Sequence, residues 1–210
     1  MGLYRKVVKR LIDTTVAIIF GIVLIVPLFI VAILIKLTSK GPIFFKQERY
    51  GKNSVPFTLY KFRSMTDGAP VKANSEFSDI KSYVTPFGMF IRKTSIDELP
   101  QLINIIKGEM SFIGPRPLAI TDEKVLRLRR QNGGDQVLPG ISGLAQVNGR
   151  NNITDEDKAA YDAKYASLQS LRLDSILVVE TIISVLKREN IWTSATDTTK
   201  KWNKDKIENE

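Results

Sequence analysis

Residues Thr14 to Ile35 carry no charge, and only Thr14, Thr15, Gly21 and Pro27 interrupt large apolar or alanine side chains. An uncharged run of about 20 residues is long enough to reach through bilayer hydrocarbon as one helix. Such a run constrains the fold more than any other stretch of the chain. A cleaved signal peptide fits it poorly, because no small-x-small site follows before Lys36. The flanks do not suit a simple crossing either. Arg5, Lys6, Lys9 and Arg10 precede the run, and Lys36, Lys40, Lys46, Arg49 and Lys52 follow it. Basic residues mark the cytoplasmic side, so both ends claim the same compartment. Pro27 lies inside the run, where it removes a helical hydrogen bond and forces a kink. Two readings stand: a kinked single-pass anchor, and a helix that enters, bends at Pro27 and leaves by the same face.

Gly41-Pro42 ends this segment. Ile43 to Arg49 and Val55 to Phe62 read as two short strands around Tyr50-Gly51-Lys52-Asn53, a hairpin turn. In the second strand Phe57, Leu59 and Lys61 share one face by period-2 alternation, which also aims Lys61 and Arg63 the same way. Taken alone, these cations are protective charges on a solvated edge strand. Thr66 to Ile80 is polar, contains Gly68 and Pro70, and reads as a loop able to close over a ligand.

The densest stretch runs from Arg92 to Pro117. Asp97 and Glu98 stand side by side at a helix start, Leu99, Leu102, Ile103 and Ile106 follow at helical spacing, and Gly108 supplies the stop. Ser95-x-x-Glu98 matches a capping box, and Asp97 as N-cap would instead place Pro100 in the first turn. Acids are common at helix starts, so spacing alone favours capping over catalysis. Gly114-Pro115-Arg116-Pro117 holds one arginine rigidly between two prolines. Two acids near two anion binders, Arg92 and Arg116, point to phosphate chemistry.

Composition narrows that chemistry. The 210-residue chain has a net charge of +9, no cysteine and no histidine. It suits one domain with a real core, and its charge favours polyanions: nucleic acid, an anionic membrane surface or phosphorylated substrates. A disulfide framework, a thiolate site, a Ser-His triad and a histidine-ligated metal are all excluded. Acid–base or nucleophilic work falls to Asp, Glu, Lys, Tyr, Ser or Thr.

Thr121 to Arg130 reads as a short helix ending at Asn132-Gly133-Gly134, with Arg127, Arg129 and Arg130 turned to water or lipid headgroups. Pro139-Gly140-Ile141-Ser142-Gly143 demands a shaped loop rather than a regular element. Arg150 lies in a further turn, where a lone arginine is ordinarily solvated. Thr154 to Leu171 forms a helix with a Thr-x-x-Asp start and a Tyr161, Tyr165, Leu168 stripe. Asp174 would cap a last helix, Ser175 to Arg188, which is apolar on nearly every side except Glu180. At about 20 Å it is too short to span a bilayer, and is either a buried core helix or a segment in the membrane interface. The polar tail, 193–210, reads as disordered. The fold class is therefore α+β, mostly helical: residues 1–38 membrane-embedded, 39–192 a small cytoplasmic domain with a short β-hairpin and interfacial amphipathic helices, and 193–210 a tail.

Lys61-Phe62-Arg63-Ser64-Met65, Arg92, Ser95-Ile96-Asp97-Glu98-Leu99-Pro100-Gln101-Leu102, Lys107-Gly108-Glu109-Met110-Ser111-Phe112-Ile113-Gly114-Pro115-Arg116-Pro117, and the stretch from Pro139 to Arg150 come in a fixed order. Together they resemble the bacterial sugar transferase family, the small monotopic phosphoglycosyl transferases. That resemblance implies transfer of a sugar 1-phosphate from a UDP-sugar to a membrane polyprenol phosphate, releasing UMP. It implies Asp97 as nucleophile, Glu98 with Asp97 as holders of Mg²⁺, and Lys61, Arg63, Arg92, Arg116 and Arg150 as contacts to substrate phosphate or nucleotide. It also implies the re-entrant form of the apolar segment at the cytoplasmic face of a bacterial cell membrane. The family breaks at a Ser-Pro pair, whereas this chain has Val26-Pro27. Membrane lipids are expected partners, nucleic acid is not, and self-association into a homo-oligomer stays open. The contrasting reading is a non-catalytic, membrane-anchored basic module for nucleic acid or anionic lipid; scattered rather than striped basic residues and the lack of a nucleic-acid motif weigh against it.

Overall fold

The computed structural model describes residues 2–69, 83–149 and 153–186. Arg150, most of the loop expected at 66–80, the end of the last helix expected to reach Arg188, and the tail expected at 193–210 lie outside them. A π-helical turn, Tyr4–Val8, leads into α1, Lys9–Val23, and α2 follows at Ile25–Thr38. The two limbs are bent by 64°. Leu24 is the hinge, at φ −91 and ψ 2. Pro27 therefore acts one turn ahead of itself: it has no N–H for the carbonyl four residues back, which is that of Val23, and the ladder breaks there. Pro27 sits in the first turn of α2, where its missing donor is tolerated. The expectation of a break at Pro27 is thus corrected to a break at Leu24 that Pro27 causes. No single described helix is both long and apolar enough to cross a membrane; the bent pair meets that requirement only together.

Both limbs rest on the same body. Ala17 of α1 is buried with Leu59, Leu102, Ile105 and Met110, while Ile35 of α2 is buried with Phe62 and Ile91. At the start of α1, Arg10 donates to the Ile105 and Ile106 carbonyls and Lys9 pairs with the buried Asp174 at 2.7 Å, while Arg5 of the preceding π-helical turn donates to the Ser167 and Gln169 carbonyls.

The hairpin pairs β1, Phe44–Tyr50, with β2, Pro56–Phe62, antiparallel from Phe44↔Phe62 to Tyr50↔Pro56. A short 3-10 turn at Lys52–Ser54 closes it, with Asn53 at φ 54. Next, α3 spans Pro86–Lys93, capped by the Thr85 side chain. A 3-10 turn, Ile96–Gln101, then feeds α4, Leu102–Lys107, which Gly108 ends at φ 88. Only glycine accepts that conformation cheaply, so the stop signal holds.

The stretch after Pro139 departs from expectation. Gly140–Ser142 forms β4, a parallel partner of β3, Ser111–Ile113. The strands approach because glycine removes the obstacle: a Cβ on Gly140 would lie 2.1 Å from the Gly114 nitrogen. Hence three punctuating residues make a strand possible here instead of preventing one.

The rest is helical: α5 at Glu123–Asn132, α6 at Leu144–Val147, α7 at Asp155–Leu168 and α8 at Leu171–Leu186. Thr154 caps α7 by accepting from the Asp157 N–H. Arg129 does not face water: it is buried, bonds Asp162 at 2.6 Å and donates to the Arg116 carbonyl. Leucine and valine neighbours on α5 carry it inward, where a guanidinium needs a carboxylate. Of the tyrosine stripe only Tyr165 is buried among the core; Leu168 stays exposed. Asp174 lies inside α8, not at its cap, and accepts from Tyr4, Lys9 and Tyr165. Nor is α8 a buried helix. Leu177 is covered, while Val179 and Ile182 are more than half exposed.

Candidate active site

The acid pair sits between the hairpin and α3. Ser95 adopts a left-handed conformation, φ 57, and its side chain caps nothing. Neither the capping box nor an Asp97 N-cap forms, because the chain enters a 3-10 turn instead of an α-helix. Glu98 pairs with Lys61 at 2.7 Å, both side chains mostly buried. Asp97 stands beside them. Burial pushes its carboxyl up to about 6; the charge of Lys61 pulls it down, Glu98 pushes it up, and Arg92 pulls it down. Arg92, in the last turn of α3, has its own pKa lowered by burial while both acids hold it up. Lys61, Arg92, Asp97 and Glu98 form one electrostatic group, which is where perturbed carboxylates mark function.

A single side chain sets the register of this group. Asn104 of α4 is fully buried. It donates to the Thr58 carbonyl at 2.7 Å and to Glu109 at 2.7 Å, and accepts from the Tyr60 N–H at 3.1 Å. Its amide makes the ladder bonds a third strand would make with β2, docking α4 so that the next inward residue, Lys61, meets Glu98. No pattern in the sequence marks this clamp.

Arg116 joins from the other side, in a narrow cleft lined also by Arg49, Lys61, Glu98, Gln101 and Ile141. Its backbone is held by more than its prolines: the Pro115 carbonyl accepts from Gly140 and the Arg116 carbonyl from Arg129. In the sequence Arg49 stands out only as a flanking charge. Its register opposite Phe57 puts it on the face shared by Leu59 and Lys61, which is the signal that finds it. Arg63 goes elsewhere. It is buried and donates to the Ser39 carbonyl at 2.9 Å and hydroxyl at 2.7 Å, tying the end of α2 to the end of β2. The structure does not bring it to the acids, and Arg150 lies outside the described residues.

No group of three or more metal-ligating side chains occurs among the described residues. Asp97 and Glu98 alone nevertheless fit Mg²⁺, which is ordinarily held by one or two carboxylates together with substrate phosphates and water. A second hollow, of about 950 Å³, lies apart from the acids between α1, α5 and α7. Its Arg5 and Arg10 are occupied by helix-end carbonyls.

Paired carboxylates opposed by several cations beside a cleft are an arrangement chemically suited to phosphorylated ligands. The sequence comparisons agree on a class. Residues 4–188 match the family of bacterial sugar transferases. The chain belongs to that family. It is 43% identical over 186 residues to the uncharacterized sugar transferase EpsL of Bacillus subtilis, covering 88% of this chain and 90% of that one. To the UDP-glucose:undecaprenyl-phosphate glucose-1-phosphate transferase of Klebsiella pneumoniae it is 40% identical over 189 residues, 85% of this chain but only 40% of the relative. It is 36% identical over 196 residues to the exopolysaccharide production protein PSS of Rhizobium leguminosarum, 87% of this chain and 96% of that protein.

Proposed function

We propose that the chain is an enzyme that moves a sugar 1-phosphate from a UDP-sugar to a polyprenol phosphate, as the first membrane step in building an exopolysaccharide or a related glycan. The reaction named for the Klebsiella relative supports this, as does the match of this chain to nearly the whole of the Rhizobium one. The observation that carries the reading is local. Glu98 meets Lys61 at 2.7 Å and stands with Asp97 beside the cations that would oppose a substrate phosphate.

The chemistry runs in two displacements. A carboxylate oxygen of Asp97 attacks the phosphorus that bears the sugar, and the bond to the bridging oxygen breaks. UMP departs with that electron pair, leaving a sugar phosphoryl group on Asp97. A phosphate oxygen of the polyprenol then attacks the same phosphorus, and the Asp97 carboxylate leaves. Burial keeps water from that acyl phosphate and strengthens every charge around it. Lys61, Arg92 and Arg116 oppose the phosphate charge through both steps. Asp97 and Glu98 would hold Mg²⁺, which would neutralise the diphosphate and stabilise UMP as it departs.

In this reading residues 1–38 are a re-entrant membrane segment and 39–192 the catalytic domain at the cytoplasmic face of a bacterial membrane. The 64° bend and the attachment of both limbs to one body support it. The exposed apolar side of α8 adds a surface suited to the membrane interface. UMP release, measured across a panel of UDP-sugars with polyprenol phosphate in micelles, tests the activity and identifies the sugar. Silence with every sugar sinks the proposal. Label from radioactive UDP-sugar, trapped on wild type without acceptor but absent from Asp97→Asn, is the outcome the covalent route requires.

A further inference from the structure

Arg49 occupies an unusual position for a cation. It is the next-to-last residue of β1, with a side chain about one-fifth exposed. Its Nη2 donates to Gln47 at 2.5 Å, its Nη1 lies 3.9 Å from Asp122, and its Nε is buried without any partner. That carboxylate is already engaged, since Asp122 Oδ2 accepts from the Ala119 N–H at 2.8 Å. Arg116 shares the cleft. Burial, and then the charge of Arg116, push Arg49 down to about 10. Two guanidiniums facing one cleft, one of them with a donor that nothing satisfies, are a costly arrangement in a folded chain. The cost disappears when an anion with several acceptor oxygens enters between them.

We propose that Arg49 and Arg116 form a two-arginine clamp for one phosphate group, a subsite beside the acid pair, with Arg49 touching substrate directly. The identity of that phosphate, in the nucleotide sugar or on the polyprenol, rests on the phosphotransferase reading above; the clamp itself does not. Gln101 and the edge of β4 close the cleft around the same space. Rigid backbones on both sides, a paired strand for Arg49 and two prolines for Arg116, preorganise the fork before ligand arrives.

Calorimetric titration of the full chain in detergent micelles with UDP and with inorganic pyrophosphate reads the clamp without turnover. Arg49→Gln and Arg116→Gln are each expected to weaken both ligands about tenfold or more. The double variant should lose less than the product of the two, because both residues hold one group. Asp122→Asn keeps an acceptor for Ala119 but removes the carboxylate near Arg49, and should bind UDP at least as tightly as wild type. If Arg49 only bridges to Asp122, that variant will instead lose as much as Arg49→Gln, and the clamp is wrong. Should Arg49→Gln fail to fold, Arg49→Lys keeps the charge without the fork and is expected to show an intermediate loss. Arg49 variants that bind UDP and pyrophosphate as wild type does, with an unchanged KM for polyprenol phosphate, overturn the proposal. A weakening confined to that KM upholds the clamp and assigns it to the lipid phosphate. Failure to release UMP from any UDP-sugar would count against the enzyme reading while the pyrophosphate titration still judged the clamp.

Discussion

At the scale of single residues, the buried acid pair is held at a cost in stability. Asp97 titrates near 6 because burial disfavours its charge more than Lys61 and Arg92 favour it. Between the unfolded value near 4 and that value, the folded chain holds a proton that the unfolded chain has released. Stability from this group therefore falls as pH rises from about 4 to about 6 and stays low above it. Asp97→Asn escapes the loss. In a chelating buffer, the melting temperature of Asp97→Asn minus that of wild type should grow across that window and then level off. The same variant should release no UMP. A difference that ignores pH would show that Asp97 is not held against its charge. Arg116 makes a separate demand, for shape. Arg116→Lys should lose nearly as much turnover as Arg116→Ala, because an ammonium cannot make a bidentate contact from a fixed backbone. Arg127, exposed on α5, is the control, and Arg127→Ala should match wild type. Near-normal turnover in Arg116→Lys would leave Arg116 only a charge. How legible these residues were follows from local rules. Asp97, Glu98, Arg92, Lys61 and Arg116 lie in contiguous motifs. Arg63 was misplaced because period-2 alternation lapses once β2 ends at Phe62, and Arg49 was passed over because its place depends on a partner strand.

At the scale of elements, start and stop signals carried well, while pairings made by single side chains did not. Gly108, Thr154 and Gly133 end or cap their helices as their types dictate. By contrast, β4 pairs with a strand nearly 30 residues upstream, which no local pattern records. Nor does one record Asn104. With both β2 groups and Glu109 on its amide, Asn104→Leu leaves buried polar groups unmatched and should cost about 3 kcal/mol. Glu109→Gln keeps an acceptor for the amide and should cost about 1 kcal/mol or less. Denaturant unfolding of the two variants separates these values. Equal losses would mean that Glu109, not the strand contacts, gives Asn104 its weight.

At the scale of the whole molecule, the bent helices and the body that carries the acids constrain each other. A helix crossing the bilayer once would set its two ends about 30 Å apart, on opposite faces. Here the π-helical turn and the first turn of α1 bind the body directly: Arg5 at the end of α7, Lys9 on Asp174 within α8, and Arg10 at the end of α4. The far end of α2 binds it as well, through Ile35 and through Ser39 on Arg63. A single crossing would tear one of these attachments apart, while a bend at Leu24 keeps both. Basic flanks on either side were legible in the sequence, but the contacts that favour return over crossing join α1 to residues as many as 165 positions away. The arrangement makes a sharp expectation, and a chain without cysteine is well suited to test it. Gly2→Cys and Val55→Cys, both at exposed positions, should each resist an impermeant maleimide in intact cells and react once the membrane is opened. Labelling of Gly2→Cys from outside, with Val55→Cys protected, would mean a single crossing. Asp174→Asn adds the energetic side of the same argument. It leaves Lys9 facing Asp13 alone, at 3.6 Å, and should lower the melting temperature by several degrees without moving either label, since Arg5 and Arg10 still hold α1 to the body.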